Sequence, residues 1–480
     1  MNMFGVLTPV VFLGVTPLVL MLVISFRRRH GLVAVLSLVG LGLTLAALPS
    51  VTGSAGPPVA PLLVIDAFSL FFIGLFTVAT MVVVVLSYAY LERTPENREE
   101  FYLLLTLATF GCAVLAASNH FVSFFLGLEI LSVSLYGLVA YFRTTRAALE
   151  SGVKYLILAA ASAAFLLFGM ALIYADLGTM DFTAMTAVVA GKAREPSLLL
   201  LGGFAMLVIG AGFKLAVVPF HMWAPDVYQG APTPVTAYLT TVSKGAIVAW
   251  LLRYGHYGGL LDYDSVVAVL AIIAVASMFL GNLLALMQEN IKRLLAYSSI
   301  AHLGYLLVAV IAASREGSHA VTFYLVAYFI TSLGVFGIIT ALSDELKEAD
   351  EVSDYRGLFW RRPWVTGALS LMLFSLAGIP LTAGFVGKFY VLTAGVLSGL
   401  WTLVILLVVS SVIGLYYYLR IIITLYLPPF DDSTLPLSTT RRFSLPEGLV
   451  LAGLTMLLIW FGVYPAPLLG FIRAAIGSLA

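Results

Sequence analysis

Lysine and glutamate are rare deep inside long apolar runs, yet this chain keeps both there. Lys154, Lys214, Lys244 and Lys388 fall within apolar stretches, and one carboxylate joins them: Glu129, in Phe121-Val-Ser-Phe-Phe-Leu-Gly-Leu-Glu129-Ile-Leu. A charge at the middle of a membrane costs about 2.5–3.5 kcal/mol on insertion scales, so such a residue is a functional candidate by default. The chemistry open to such a row is proton exchange. Burial disfavours an ammonium and a nearby carboxylate favours it, so a lysine held between the two changes protonation state when a neighbouring charge moves. Arginine stays protonated throughout, and no arginine lies deep in any of the apolar stretches.

Each charge also has a packing alternative. A long stem can carry its charge out to the interface, and Lys154, near the start of its stretch, is open to that reading. Lys244 stands about twelve residues into its stretch, some 18 Å at 1.5 Å per residue, beyond the reach of a lysine stem. Glu129 is similarly deep on a shorter stem. A purely structural Glu–Lys pair is the other packing alternative. His302, in Tyr297-Ser-Ser-Ile-Ala-His302-Leu-Gly-Tyr305, titrates near neutral pH. Ser298 and Ser299 lie one turn away, so the group reads either as a relay or as a hydrogen-bonded packing histidine. His221 and Asp226 flank a loop and read as solvated. Asp66 reads as the N-cap of its helix.

Two of the lysines accompany a break. One segment reads Gly210-Ala-Gly212-Phe-Lys214-Leu-Ala-Val-Val-Pro219-Phe-His221, the other Leu376-Ala-Gly378-Ile-Pro380-Leu-Thr-Ala-Gly384-Phe-Val-Gly387-Lys388. Proline leaves the carbonyl four residues earlier unpaired, here Leu215 and Leu376. Unpaired backbone at membrane depth is tolerated only against protein or a wet cavity, and discontinuous helices near the midplane are the usual ion sites of transporters. A plain proline kink is the alternative for either one alone.

The elements that must hold these residues are membrane helices. Of 480 residues, 61% are hydrophobic and only 10% charged, against about 25% charged in an ordinary soluble chain. With 25 Lys+Arg against 24 Asp+Glu, bulk charge points to neither nucleic acid nor an acidic partner. The single cysteine, Cys112, rules out an internal disulfide or a Cys-ligated cluster and reads as helix packing. Crossing the hydrocarbon core takes about 20 apolar residues. Such stretches run roughly over 6–26, 31–49, 62–91, 101–118, 120–141, 153–176, 197–220, 232–254, 264–287, 294–313, 319–343, 364–392, 398–427 and 446–471. The expected fold is therefore an all-α polytopic membrane protein of about 14 transmembrane helices, two of them broken. No segment is long enough for a separate catalytic domain.

The first stretch has no basic residue before it, and Arg27-Arg28-Arg29-His30 follows it, which favours a retained helix over a signal peptide. Loops after odd-numbered stretches hold sixteen basic residues, while the other side holds five: Lys192, Arg194, Arg253, Arg315 and Arg473. The positive-inside rule then puts both termini outside. Helices four to eight and nine to thirteen each make five crossings, each with its broken, lysine-bearing helix in fourth place, which hints at an inverted repeat. The division expected is an N-terminal three-helix segment over residues 1–100, a first repeat over 101–256, a second, inverted repeat over 257–430, and a C-terminal helix over 431–480.

These residues bring a family into view. The chain resembles the antiporter-like membrane subunits of respiratory complex I, the bacterial proton-translocating NADH–quinone oxidoreductase, and is most similar to their N type. The likeness spans nearly the whole chain. It is carried by Phe125-Leu-Gly-Leu-Glu129-Ile-Leu-Ser-Val-Ser-Leu-Tyr136, Lys154-Tyr-Leu-Ile-Leu, Asn290-Ile-Lys-Arg-Leu-Leu-Ala-Tyr-Ser-Ser-Ile-Ala-His302-Leu-Gly-Tyr305 and Leu376-Ala-Gly-Ile-Pro380-Leu-Thr-Ala-Gly-Phe-Val-Gly-Lys388-Phe-Tyr390. Its most specific part is Gly212-Phe-Lys214-Leu-Ala-Val-Val-Pro-Phe-His-Met-Trp223-Ala-Pro-Asp-Val-Tyr228-Gln-Gly-Ala-Pro-Thr-Pro234.

The resemblance implies two inverted five-helix repeats and a hydrophilic axis along the membrane midplane. It implies Glu129 and Lys214 as a coupling pair, Lys244 as central relay and Lys388 as terminal lysine, with Lys154 matching a lysine of the N-type pattern. It implies no cofactor on this chain: NADH, FMN, iron–sulfur clusters and quinone belong to partner subunits. Those partners are a neighbouring antiporter-like subunit and small membrane subunits, in the lipid bilayer of a bacterial inner membrane. The chain departs from the L type in ending at Ala480 without a long lateral helix, and from the M type in having lysine at 388. A subunit of a multisubunit sodium/proton antiporter or of a membrane-bound energy-converting hydrogenase would share these motifs. A structural scaffold subunit, its charges merely pinning helices, is the reading of another class.

Overall fold

The computed structural model describes residues 3–51, 62–93, 97–191, 196–312, 315–343, 348–429 and 443–479. Lys192, Arg194, Lys347, Arg441 and Arg442, which entered the count of basic residues, lie outside the described residues, as do most of the links 49–61 and 428–446.

Among the described residues, thirteen helices are long and apolar enough to cross a membrane. They are α1 (Thr8–Phe26), α2 (His30–Val51), α3 (Ala67–Leu91), α4 (Glu99–Ala117), α5 (Phe121–Val139), α6 (Arg146–Leu177), α7 (Leu198–Leu215), α8 (Thr233–Tyr257), α9 (Asp264–Leu286), α10 (Ile291–Ile311), α11 (Arg315–Leu342), α14 (Trp401–Tyr426) and α15 (Leu445–Val463). Between α11 and α14, the expected stretch 364–392 is two half-helices, α12 (Pro363–Ala377) and α13 (Ala383–Leu397). A final helix, α16 (Ala466–Ile476), separates from α15 at Tyr464-Pro465. The fold is all-helical and polytopic. The fourteen expected stretches each correspond to a helix or an interrupted pair.

Helix starts follow local chemistry. Asp66 caps α3 through the Ser69 N–H, and Ser69 answers as the second half of a capping box, as expected. Asn290 caps α10 at 3.0 Å from the Arg293 N–H, and Ser444 caps α15 with Glu447 closing the box. Each side chain satisfies a donor that the first helical turn leaves orphaned.

Burial sorts the helices. The apolar windows of α8 and α11 are wholly buried and that of α10 is 94% buried, whereas α15 is 22% buried. A helix apolar all round belongs inside, so the two helices bearing Lys244 and His302 run through the centre, ringed by helices that turn an apolar face outward. Glycine allows close crossings. A Cβ added at Gly111 of α4 would lie 2.7 Å from the Gly127 carbonyl oxygen of α5, and one at Gly281 of α9 would lie 2.7 Å from the Ala301 nitrogen of α10.

Candidate functional site

Lys214 is the penultimate residue of α7. The helix ends because Ala216 takes a left-handed conformation, φ 58°, and the Val217 N–H turns back to the Gly212 carbonyl. Pro219 lies four residues beyond the end, in a connecting turn that leads to the short helix Trp223–Gly230. The interruption expected near Pro219 is present, but it falls ahead of the proline and not within a helix that contains it. Lys214 is buried and donates to Ser132 Oγ at 2.7 Å, 5.7 Å from the Tyr155 ring centroid.

Glu129 and Lys214 do not close into an ion pair. Ser132 stands one turn along α5 from Glu129 and takes the ammonium, while Glu129 Oε1 is buried without a hydrogen-bond partner. Glu129 as a whole is half-buried. The ammonium is thus held by a hydroxyl and the carboxylate is left without a hydrogen bond at its buried oxygen.

Lys244 is the most deeply buried of the four lysines. It follows a π-helical turn, Leu239–Ser243, that interrupts α8, a distortion frequent at functional sites. Its Nζ donates to Ser299 Oγ of α10 at 2.6 Å and sits 5.5 Å from the Tyr228 ring centroid. His302, one turn along α10 from Ser299, does not meet Ser298 or Ser299 directly as the sequence suggested. Its ring nitrogens engage Tyr324 OH at 2.5 Å and Tyr418 OH at 3.0 Å, and Tyr418 bridges to Ser298. The reason is helical geometry: serines three and four residues back point toward neighbouring helices, where Tyr418 and Lys244 reach them.

Lys388 occupies the second break. α12 ends at Ala377, Gly378 is left-handed at φ 86° and Leu381 at φ 70°, and α13 starts with Thr382 as its cap. As expected from Pro380, the Leu376 carbonyl is freed, and Lys388 Nζ donates to it at 3.0 Å, to the Ala377 carbonyl at 2.9 Å and to Ser411 Oγ at 2.9 Å. A cavity of about 250 Å³ beside it is lined by Gly378, Phe385, Lys388, Ser411 and apolar side chains.

Lys154 is not a buried charge. Its side chain is 44% exposed and pairs with Glu150 and Asp226, each at 2.8 Å. It lies two turns into α6, which begins at Arg146 and not near 153, so the stem reaches the interface easily. Asp226 is more than a solvated loop residue: Arg293 of α10 also donates to it, at 2.6 Å. Burial alone would raise its carboxyl, but the hydrogen bonds from Lys154 and Arg293 outweigh that and hold it below the ordinary aspartate value. His221, read as solvated, is buried, with Nδ1 lacking a partner.

Among the buried charges that escaped the sequence reading, two stand in ion pairs. Arg253, assigned there to a loop, is wholly buried and forms a bidentate pair with Asp66, at 2.9 and 2.8 Å. Lys292 is also wholly buried and pairs with Glu348. The only signal for either was its place near the end of an apolar stretch.

The chain has relatives of known family and fold. Residues 118–414 match the family model described as NADH:quinone oxidoreductase/Mrp antiporter, TM. A chain of respiratory complex I from Thermus thermophilus is 31% identical, covering 97% of this chain and 99% of that one, at a TM-score of 0.83. A chain of the membrane-bound sulfane sulfur reductase, an archaeal respiratory membrane complex, is 24% identical, covering 99% and 98%, also at 0.83. A chain of the Mrp complex from Dietzia sp. is 22% identical, covering 100% and 98%, at 0.85; these last two likenesses speak to the fold. This chain belongs to the NADH:quinone oxidoreductase/Mrp antiporter membrane family, as an antiporter-like membrane subunit of complex I, Mrp or a related membrane complex.

Proposed function

We propose that this chain is the N-type antiporter-like subunit of a proton-translocating NADH–quinone oxidoreductase, relaying protons along Glu129, Lys214, Lys244, His302 and Lys388. The observation that carries the relay is the absence of carboxylate partners. Among the described residues, Lys214, Lys244 and Lys388 each donate to hydroxyls or carbonyls and none to a carboxylate. A scaffold that used Glu–Lys pairs as pins would have closed them. Keeping an ammonium buried without a counter-charge costs several kcal/mol, so these sites are poised to exchange protons as neighbouring charges change.

On this reading redox chemistry stays in partner subunits, which hold NADH, FMN, iron–sulfur clusters and quinone, and this chain meets a neighbouring antiporter-like subunit and small membrane subunits. Both termini face the periplasm of a bacterial inner membrane. The runs α4–α8 and α9–α14 are inverted repeats, approximately residues 101–256 and 257–430, between an N-terminal segment (1–100) and a C-terminal one (431–480). The interrupted fourth crossing in each run and the glycine-mediated contact between each run's first two helices support that division. Lys154 contributes as a boundary charge and not as a buried relay.

The test is to purify the complex in mild detergent, identify its subunits and measure NADH-driven proton uptake in liposomes with native chain and with Lys244→Met. The expected result is NADH–quinone activity in the parent and loss of most pumping in the variant, with assembly intact. A complex without that activity, or full pumping by Lys244→Met, would falsify the reading.

A further inference from the structure

The helix that carries Lys244 begins against a buried ion pair. Lys292 pairs with Glu348 and also donates to the Ala231 carbonyl at 2.8 Å. Tyr90 OH donates to the other carboxylate oxygen of Glu348 at 2.5 Å, and the Thr233 N–H approaches that oxygen at 3.3 Å. Glu348 therefore ties together the end of α3 and the starts of α8 and α10. Its side chain is 26% exposed while that of Lys292 is fully covered, so the carboxylate is the member of the pair that meets the outside.

Between this cluster and Lys244 runs a row of hydroxyls. Thr233, Thr236 and Thr240 precede Lys244 at successive spacings of three, four and four, so they share one face of α8. Tyr228 flanks the row: Thr236 Oγ1 donates to its carbonyl at 3.1 Å, and its ring lies beside Lys244 Nζ. The side-chain oxygens of Thr233, Tyr228 and Thr240 are all buried and none has a hydrogen-bond partner. Buried polar groups are almost always satisfied, by protein or by ordered water, and a water needs such polar contacts to be held. Three orphaned oxygens in series between an ion pair and a central lysine are therefore fitted to a file of water. Past Lys244 the character changes. Trp250 Nε1 and Tyr254 OH also lack partners, but their rings stack on each other and that of Trp250 on Phe124, filling that end with aromatic surface.

We propose that Glu348 and Lys292 gate proton access to Lys244, admitting water to the Thr233–Tyr228–Thr240 row from the membrane face that carries Lys292. The inference rests on Lys244 acting as a relay. One proton from bulk water binds the Glu348 carboxylate. The neutral acid loosens its hold on Lys292, and water enters the row. The proton moves along it to the unprotonated amine of Lys244, and Glu348, a carboxylate again, re-forms the pair. The unpaired charge on Lys292 supplies the restoring force, since a buried ion without its partner is strongly disfavoured.

Thiol access tests the gate separately from pumping. Cys112→Ala removes the one native thiol. In that background, Thr240→Cys in the intact complex is reacted with a small membrane-impermeant methanethiosulfonate, applied to one face of sealed vesicles at a time. Val83→Cys, at a buried apolar position, sets the floor. The expected result is reaction from the Lys292 face, about tenfold faster once Glu348→Gln removes the charge that holds the pair. Tyr90→Phe, which deletes one hydrogen bond and keeps the ion pair, is expected to raise the rate about threefold. That comparison decides the matter if Glu348→Gln does not assemble. Rates unchanged by these substitutions, or reaction only from the opposite face, overturn the gate. Normal pumping by Lys244→Met with gated labelling intact would instead overturn the relay alone.

Discussion

Lys388 Nζ lies 2.9 Å from the carbonyl oxygen of Ala377, the last residue of the half-helix that precedes its own. The lysine does what a further turn of helix would have done, supplying donors to carbonyls left open at a helix end. Its charge also sits where the partial negative charge of the helix terminus favours a cation. One group thus serves both as the cap of a break and as the ionisable residue beside an adjacent cavity, so its protonation and the geometry of the break are linked.

Lys388→Met should therefore destabilise the assembled complex as well as abolish transport through this end of the chain. Two carbonyls and a serine lose a charged donor, a loss of about 1.5–3 kcal/mol per bond at most. Lys388→Arg keeps a donor at the break but not an exchangeable proton, so stability should recover while pumping does not. Thermal denaturation and liposome pumping, measured on the same preparations, separate the two. Equal stability of Met and Arg variants would show that the cap is not what the lysine supplies.

Ser132 carries a comparable weight for Lys214. It is the hydrogen-bond partner of the buried ammonium and lies one turn along α5 from Glu129. Ser132→Ala leaves a buried charged donor unsatisfied, a cost of about 1–3 kcal/mol or more. Pumping is expected to fall severalfold, with assembly retained and Ser132→Thr close to native. Native rates in the alanine variant would mean that Lys214 finds Glu129 unaided.

Asp226 joins α6 to α10 through Lys154 and Arg293. Its carboxyl is held below the ordinary aspartate value, so its contribution is fully present above that ordinary value and lost as pH falls below it. Between neutral pH and pH 5 no change is expected; further acid should loosen the junction. Asp226→Asn should remove that acid step and lower stability at neutral pH, modestly, because the cluster is part-exposed and screened by salt. An unaltered acid transition in Asp226→Asn would assign it to another carboxylate.

How much of this was legible varies with what the sequence can encode. Lys244 and Lys388 stood out because a charge far inside an apolar run has no ordinary explanation, and Pro380 marked its break because proline acts on a carbonyl four residues away. Pro219 was a less direct sign: α7 is ended by the turn at Ala216, and the proline only follows. Lys292 and Arg253 were not legible, since a charge near a helix end reads the same whether it is solvated or buried. What buries them is a partner distant in the chain, Glu348 or Asp66. Lys154 was open to either reading from its place near the start of a stretch, and what decides for the interface, its pairing with Asp226, arrives only through folding.

The close crossing of α9 and α10 sets the positions of Ser299 and His302, so a methyl group there should be felt at the site. A Cβ at Gly281 would lie 2.7 Å from the Ala301 nitrogen and 2.9 Å from the Tyr297 carbonyl oxygen, and backbone cannot rotate away as a side chain can. Gly281→Ala must push the helices apart, a strain of about 1–3 kcal/mol. Since Lys244 holds Ser299 at 2.6 Å, even a small displacement of α10 opens that bond. Both melting temperature and pumping should drop. Gly453→Ala in α15 is the control: nothing lies within 4 Å of its added methyl, and alanine is the better helix former by up to about 1 kcal/mol, so it should be neutral or slightly stabilising. If the two substitutions behave alike, close backbone contact between α9 and α10 is not what positions the Lys244–Ser299 pair.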